Sequence, residues 1–311
     1  MKKTVTRRNV AGLYAVLPTP FDASGALDRR LYADMIRALA GYDFKGLILC
    51  GTNGEYFSML RRDRITAVEI AREILQGQGP MLVANSTCLA LPDAISLGGD
   101  LVKSGADMLI NIPPLGTQLP RRVYTEYWRR LAGGVGDVPL LIYTLASVNQ
   151  LPPVSVMVET AAAVPTIVGT KEGHNDLARY RELQQSTDIV AIPADDFHWS
   201  EYYQSGCQSF MTPTASLLPG LAVQIHQHLL KGDYAAAAPI QAAFVHLWNT
   251  IISLPAISDY HLVARVKAVC QLAGCFNPGH AAPPIIDVPA SALPELARAI
   301  ADVLALARRT T

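Results

Sequence analysis

Leu13-Tyr14-Ala15-Val16-Leu17-Pro18-Thr19-Pro20-Phe21 is the stretch on which the fold turns. A five-residue apolar run, long enough for one buried strand, ends directly on two prolines. Near-continuous apolarity suits a strand covered on both faces, as in a parallel sheet. An open doubly wound sheet ordinarily follows its first strand with a glycine-rich turn. Pro18-Thr19-Pro20-Phe21 contains no glycine, which favours the other way of alternating strands with helices, a closed barrel.

Similar runs recur at Gly46–Cys50, Met81–Ala84, Met108–Ile112, Leu140–Tyr143, Ile167–Gly169, Ile189–Ile192 and Ser209–Met211. Amphipathic stretches separate them. Arg61–Leu75 is one, with the mixed faces of a helix carrying a single apolar stripe. Further helices are expected over Phe197–Gln204 and, after the eighth strand, over Leu217–Leu230, Tyr234–Ile252, Leu262–Leu272 and Leu293–Leu306. The expected architecture is α/β: a (β/α)8 TIM barrel over residues 1–220 with a C-terminal helical extension over 221–311, in one structural unit.

Half of the 311 residues are apolar, enough for a large core and too many for a disordered chain. Lys and Arg number 26, as do Asp and Glu, so no basic excess points to nucleic acid or an anionic membrane surface. The five cysteines contain no CxxC pair and read as small apolar residues in a reducing, cytoplasmic setting. No uninterrupted apolar run reaches about 18 residues, so no membrane-spanning helix is expected. Thr6-Arg7-Arg8-Asn9-Val10 has the look of a twin-arginine signal, but Gly12–Phe21 carries two prolines and no A-x-A site follows. It reads as a first strand and its loop.

In a barrel, the residues just past each strand share one mouth, and that mouth holds the chemistry. Here they are Thr19, Thr52-Asn53, Asn85-Ser86, Tyr143-Thr144, Lys171-Glu172, Asp195-Asp196 and Thr212. No Asp/Glu/His grouping among them suits a divalent metal, and the seven histidines form no HExxH, so no metal is expected. Lys171 stands out, because lysine is almost never buried without a partner or a purpose. Burial favours an uncharged amine, the form that attacks a carbonyl; the structural alternative is an ion pair with Glu172 or Asp195. Tyr143 ends the neighbouring strand, where its phenol could move a proton or merely fill a barrel layer. Gly51-Thr52-Asn53-Gly54-Glu55 could offer N–H groups and the Thr52 hydroxyl to a carboxylate, or be an ordinary turn with Glu55 as a hydrogen-bond acceptor. It is neither a Walker loop nor a dinucleotide fingerprint.

Taken together and in this order, these elements resemble the dihydrodipicolinate synthase / N-acetylneuraminate lyase family of class I aldolases. The matching text is Gly51-Thr52-Asn53-Gly54-Glu55, Tyr143, Gly169-Thr170-Lys171-Glu172 and the opening Leu17-Pro18-Thr19-Pro20-Phe21. The resemblance implies that Lys171 forms a Schiff base with pyruvate or another 2-keto acid, that Tyr143 relays protons, and that Thr52 and Asn53 hold the carboxylate. It implies a Met211 carbonyl lining the pocket, no cofactor, and a homo-oligomer, tetramer or dimer. The tyrosine is followed by Thr144-Leu145-Ala146-Ser147-Val148, with Val148 where the synthases carry an arginine, and Leu115 stands where they bring a second tyrosine from a neighbouring subunit. These departures argue against lysine biosynthesis. Asp195 and Asp196 could supply the acidic pair of the sialic-acid lyases, but Pro213 occupies their serine position. Asn53 resembles members acting on 4-hydroxy-2-oxoglutarate or 2-keto-3-deoxy sugar acids. The competing reading is a catalytically quiet relative that binds a keto acid as a sensor or scaffold.

Overall fold

The computed structural model describes residues 6–113, 119–145 and 151–309. Strands and helices alternate through β1 (Leu13–Val16), α1 (Arg29–Ala40), β2 (Gly46–Leu49), α2 (Arg61–Leu75), β3 (Met81–Asn85), α3 (Leu91–Lys103), β4 (Met108–Asn111) and α4 (Arg121–Val135). They continue with β5 (Leu140–Leu145), α5 (Val154–Ala163), β6 (Ile167–Gly173), α6 (Leu177–Ser186), β7 (Val190–Pro193), α7 (Trp199–Gln204) and β8 (Phe210–Thr212). The sheet order is β7-β6-β5-β4-β3-β2-β1-β8 and the ladders are parallel. At the seam between β7 and β8, the Thr212 hydroxyl donates to the Asp196 carboxylate.

Each strand is buried on both faces, which is why it reads as an unbroken apolar run. Tyr14, Val16, Ile48, Val83, Ile110 and Leu141 pack inside the barrel. Ala15, Leu47, Leu82, Leu109 and Leu140 face the helices instead. The period-two alternation of a strand thus fills two cores at once.

The extension comprises α8 (Thr214–Leu217), α9 (Pro219–Leu230), α10 (Tyr234–Ser253), α11 (Leu262–Ala273), α12 (Leu293–Ala299) and α13 (Ala301–Ala307). The helix expected over Leu217–Leu230 starts at Pro219, after the separate short helix α8 and a break at Leu218, and the one expected over Leu293–Leu306 is divided at Ile300. Pro219 accounts for the first break: a residue before proline is pushed out of helical geometry, and Leu218 lies at φ −134°, ψ 64°. The helix expected from Phe197 begins at Trp199, because Asp195 accepts a hydrogen bond from the Phe197 N–H at 2.9 Å and holds that turn open. By length and composition alone, α10 is apolar enough to cross a membrane. Its Ile240, Phe244, Leu247 and Ile251 are buried in the main core, as in a core helix.

Candidate active site

A register shift sets the direction of Lys171. Leu140 pairs with Ile167, yet Leu141 pairs with Gly169, so β6 holds one extra residue, Val168, against β5. Strict alternation from the inward Val168 would send Thr170 and Glu172 into the barrel and Lys171 outward. The irregularity resets the phase, as bulges beside active sites do. Tyr143 and Lys171 become direct partners across the two strands, and the Lys171 Nζ lies 4.3 Å from the centroid of the Tyr143 ring. Both side chains are buried.

The ion pairs anticipated as an alternative for Lys171 do not form. Glu172 faces the helices, where it accepts hydrogen bonds from Arg179 Nε at 2.9 Å and Thr170 Oγ1 at 2.6 Å and meets His174 Nε2 at 2.7 Å. Its carboxyl is held below its ordinary range by these neighbours, against the opposing effect of burial. Asp195 is engaged with His198 Nδ1 at 2.8 Å and with the Phe197 N–H. Neither carboxylate is paired with the amine.

The loop after β2 is fixed from several sides. Asn85 Nδ2 donates to the Cys50 carbonyl at 2.9 Å, and Thr19 Oγ1 donates to that of Gly54 at 2.8 Å. Its left-handed residues are Cys50 (φ 53°) and Glu55 (φ 58°), not the two glycines. Gly54 is required for space, since a Cβ there would lie 3.0 Å from the Leu17 carbonyl oxygen and from the Gly51 nitrogen. Glu55 is fully buried, and its two oxygens meet Lys267 Nζ of α11 at 2.6 Å and the Ala282 N–H at 2.8 Å. Lys267, which the sequence pattern did not single out, also donates to the Thr19 carbonyl at 2.7 Å. Thr52, held by this frame, has a buried hydroxyl with no hydrogen-bond partner among the described residues. Buried hydroxyls are normally paired, so an orphan one facing a cavity is a place for a ligand oxygen.

Lys171, Tyr143, Thr52 and Asn53 line one cavity of about 460 Å³. That volume is within the range of small-molecule sites, about 300–1,000 Å³. Asp196 lines it in place of Asp195. Burial pushes the Asp196 carboxyl up to about 6, with the Thr212 hydroxyl working in the opposite direction. The Met211 side chain belongs to the barrel interior and is not among the residues lining the cavity, whereas Pro213 is. Leu115 and Val148 lie outside the described residues. Reading strand ends left out two groups. Tyr56 supplies a second phenol. Trp248 and Ile252 of α10 and Leu262 and Val263 of α11 come from the extension, which strand-end reasoning does not reach.

The same arrangement of barrel and extension recurs in solved structures. The sialic acid aldolase of Ruminococcus gnavus superposes with a TM-score of 0.87 at 17% identity, over 97% of this chain and all of that one. YagE of E. coli K12, solved in complex with pyruvate, gives 0.85 at 18% identity, over 94% of this chain and 98% of that one. In sequence, a probable 5-dehydro-4-deoxyglucarate dehydratase of Bradyrhizobium diazoefficiens is 25% identical over 92% of this chain and 90% of its own length. A 4-hydroxy-tetrahydrodipicolinate synthase of Pseudoalteromonas atlantica is 24% identical over 78% of this chain and 83% of its own. The family pattern itself matches residues 9–303, nearly the whole chain. The chain therefore belongs to the dihydrodipicolinate synthetase family.

Proposed function

We propose that this protein is a Schiff-base-forming lyase, an aldolase or dehydratase, acting on a hydroxylated 2-keto acid with pyruvate as the keto-acid portion. The observation that carries the reading is the Lys171 amine, buried, free of any carboxylate partner among the described residues, and set over Tyr143 in the cavity that holds the orphan Thr52 hydroxyl. Similarity to a probable sugar-acid dehydratase and, in fold, to a sialic acid aldolase supports a lyase.

In this reading the keto acid's carboxylate lies against Thr52 and Asn53, which directs C2 at Lys171. The neutral amine adds to C2, water leaves, and a protonated imine forms. The imine draws in the electron pair of the C3–C4 bond when the 4-hydroxyl gives up its proton, and an aldehyde departs. The remaining enamine takes a proton at C3, and water hydrolyses the imine to release pyruvate. Tyr143 carries protons to and from the carbinolamine and the 4-hydroxyl. In a dehydratase the same imine acidifies C3, and a hydroxyl leaves instead. A homo-oligomer, dimer or tetramer, is part of the proposal.

Borohydride added with pyruvate is expected to fix a covalent adduct on Lys171, located by peptide mass spectrometry. A folded protein whose Lys171 stays unmodified would overturn the reading. An adduct without turnover of any 4-hydroxy-2-keto acid, with 4-hydroxy-2-oxoglutarate and 2-keto-3-deoxygluconate as reference substrates, would point instead to a binding protein.

A further inference from the structure

The outer half of the cavity is built differently from the inner half. Phe57, Trp248, Ile252, Leu262 and Val263 line it there, with His261 among them. Phe57, Ile252 and Leu262 keep 49%, 50% and 39% of their surface exposed at the rim. A clustered exposed apolar surface at the mouth of a cavity marks a binding region. Trp248 has one polar atom, and its Nε1 already donates to Thr214 Oγ1 at 2.7 Å, so only the indole ring is offered to a guest. The Phe57 and His261 rings stand edge to face at 6.1 Å beside it.

Charge limits the guest further. Among the described residues Lys171 is the only lysine or arginine lining the cavity, and in the proposed reaction its nitrogen is committed to the imine. A second carboxylate on the substrate would find no such cation and would share the cavity with the Asp196 carboxyl. A polyhydroxylated chain laid along Phe57, Trp248, Ile252, Leu262 and Val263 would find no partner for its hydroxyls on those side chains, the remaining neutral polar groups of the lining being Tyr56, Asn175 and His261, and unpaired buried hydroxyls are costly.

We propose that the group carried on C4 of the substrate is apolar and of the size of an aromatic ring, so that cleavage releases pyruvate and an aryl aldehyde. The inference rests on the Schiff-base reading of Lys171 and specifies the substrate class of that site. The reaction balances without a further reactant: 4-aryl-4-hydroxy-2-oxobutanoate gives aryl aldehyde plus pyruvate. The C3–C4 bond breaks, the 4-hydroxyl proton is lost and one proton is gained at C3.

The test compares 4-hydroxy-2-oxo-4-phenylbutanoate, 4-hydroxy-2-oxoglutarate and 2-keto-3-deoxygluconate as substrates of the full chain, scored by released pyruvate. The phenyl compound is expected to have a kcat/KM at least tenfold above both others; an equal or better polar substrate overturns the inference. Leu262→Arg is expected to move the ratio at least tenfold towards 4-hydroxy-2-oxoglutarate, and Ile252→Lys serves the same purpose should the first variant not fold. An unchanged ratio in a folded variant overturns the role given to the rim. Pyruvate trapping on Lys171 keeps the two readings apart. With an adduct present and no phenyl preference, this inference alone falls; with no adduct, both fall.

Discussion

Tyr143 presents a ring to Lys171 as well as a phenol to the cavity, and substitution can separate the two contributions. Tyr143→Phe keeps the ring 4.3 Å from the amine and deletes only the hydroxyl. Turnover is expected to fall by about 10²–10⁴-fold if that hydroxyl is the acid/base, while pyruvate still becomes trapped on Lys171. A loss below tenfold would move the relay elsewhere, with Tyr56 the next phenol to test. Thr52→Val makes the complementary separation. Because the Thr52 hydroxyl has no hydrogen-bond partner among the described residues, its removal is expected to leave the melting temperature unchanged or higher. KM for the keto acid should rise by roughly tenfold, the equivalent of one hydrogen bond of about 1.4 kcal/mol; an unchanged KM would take the carboxylate away from this loop. At this scale Lys171, Tyr143, Thr52 and Asn53 could be picked out because each lies at or just past the end of an apolar run in the sequence, although β5 and β6 run on to Leu145 and Gly173 and so contain Tyr143 and Lys171. Asp195 was not legible as distinct from Asp196: both lie past β7, and an Asx turn closed by Asp195 decides which one faces inward. Such a turn leaves no trace in hydrophobic periodicity.

β6 shows what an element can hide. Its apolar start is plain in the sequence, but the extra residue at Val168 exists only in relation to β5, so one strand's pattern cannot reveal it. Gly169 follows immediately and makes the close packing possible: a Cβ there would sit 2.7 Å from the Val190 carbonyl oxygen of β7 and 3.0 Å from Leu141. Backbone on one side and a packed leucine on the other leave little room to yield. Gly169→Ala is therefore expected to destabilise the protein by about 1–3 kcal/mol, the usual cost of overpacking. The measurable functional effect would be a lower rate of pyruvate trapping on Lys171, two residues along, at temperatures where circular dichroism shows the variant folded. An unaltered melting curve and trapping rate would mean that the barrel accommodates the methyl group and that the phase of β6 is set elsewhere.

Across the whole molecule, stability and site geometry are joined by buried charge. At the base of the barrel, burial lowers His226 to about 4 from its ordinary 6.5, so the unfolded chain binds a proton that the folded one refuses. Its contribution, about 3 kcal/mol, is complete above pH 6.5 and is lost as pH falls through 4. The melting temperature of His226→Gln should accordingly fall less than wild type between these limits; parallel curves would exclude His226 as their cause. At the other end, Lys267 of α11 and Glu55 of the β2 loop form an ion pair that is almost wholly shielded from water. The barrel was legible from its eight apolar runs, whereas this tie was not. Nothing in a helix pattern marks one lysine as inward-facing when its partner is 212 positions away. Removing one member of a buried pair strands the other's charge, at about 3–5 kcal/mol. Lys267→Met should therefore lower the melting temperature and raise KM for the keto acid, because Thr52 sits in the loop that Lys267 holds. In the double variant Glu55→Gln/Lys267→Met no charge is stranded, so stability should return in large part. KM should remain raised, since a neutral glutamine no longer draws the loop to α11. If KM recovers together with stability, the extension contributes only to folding; if it does not, the extension is part of the binding site in a mechanical sense.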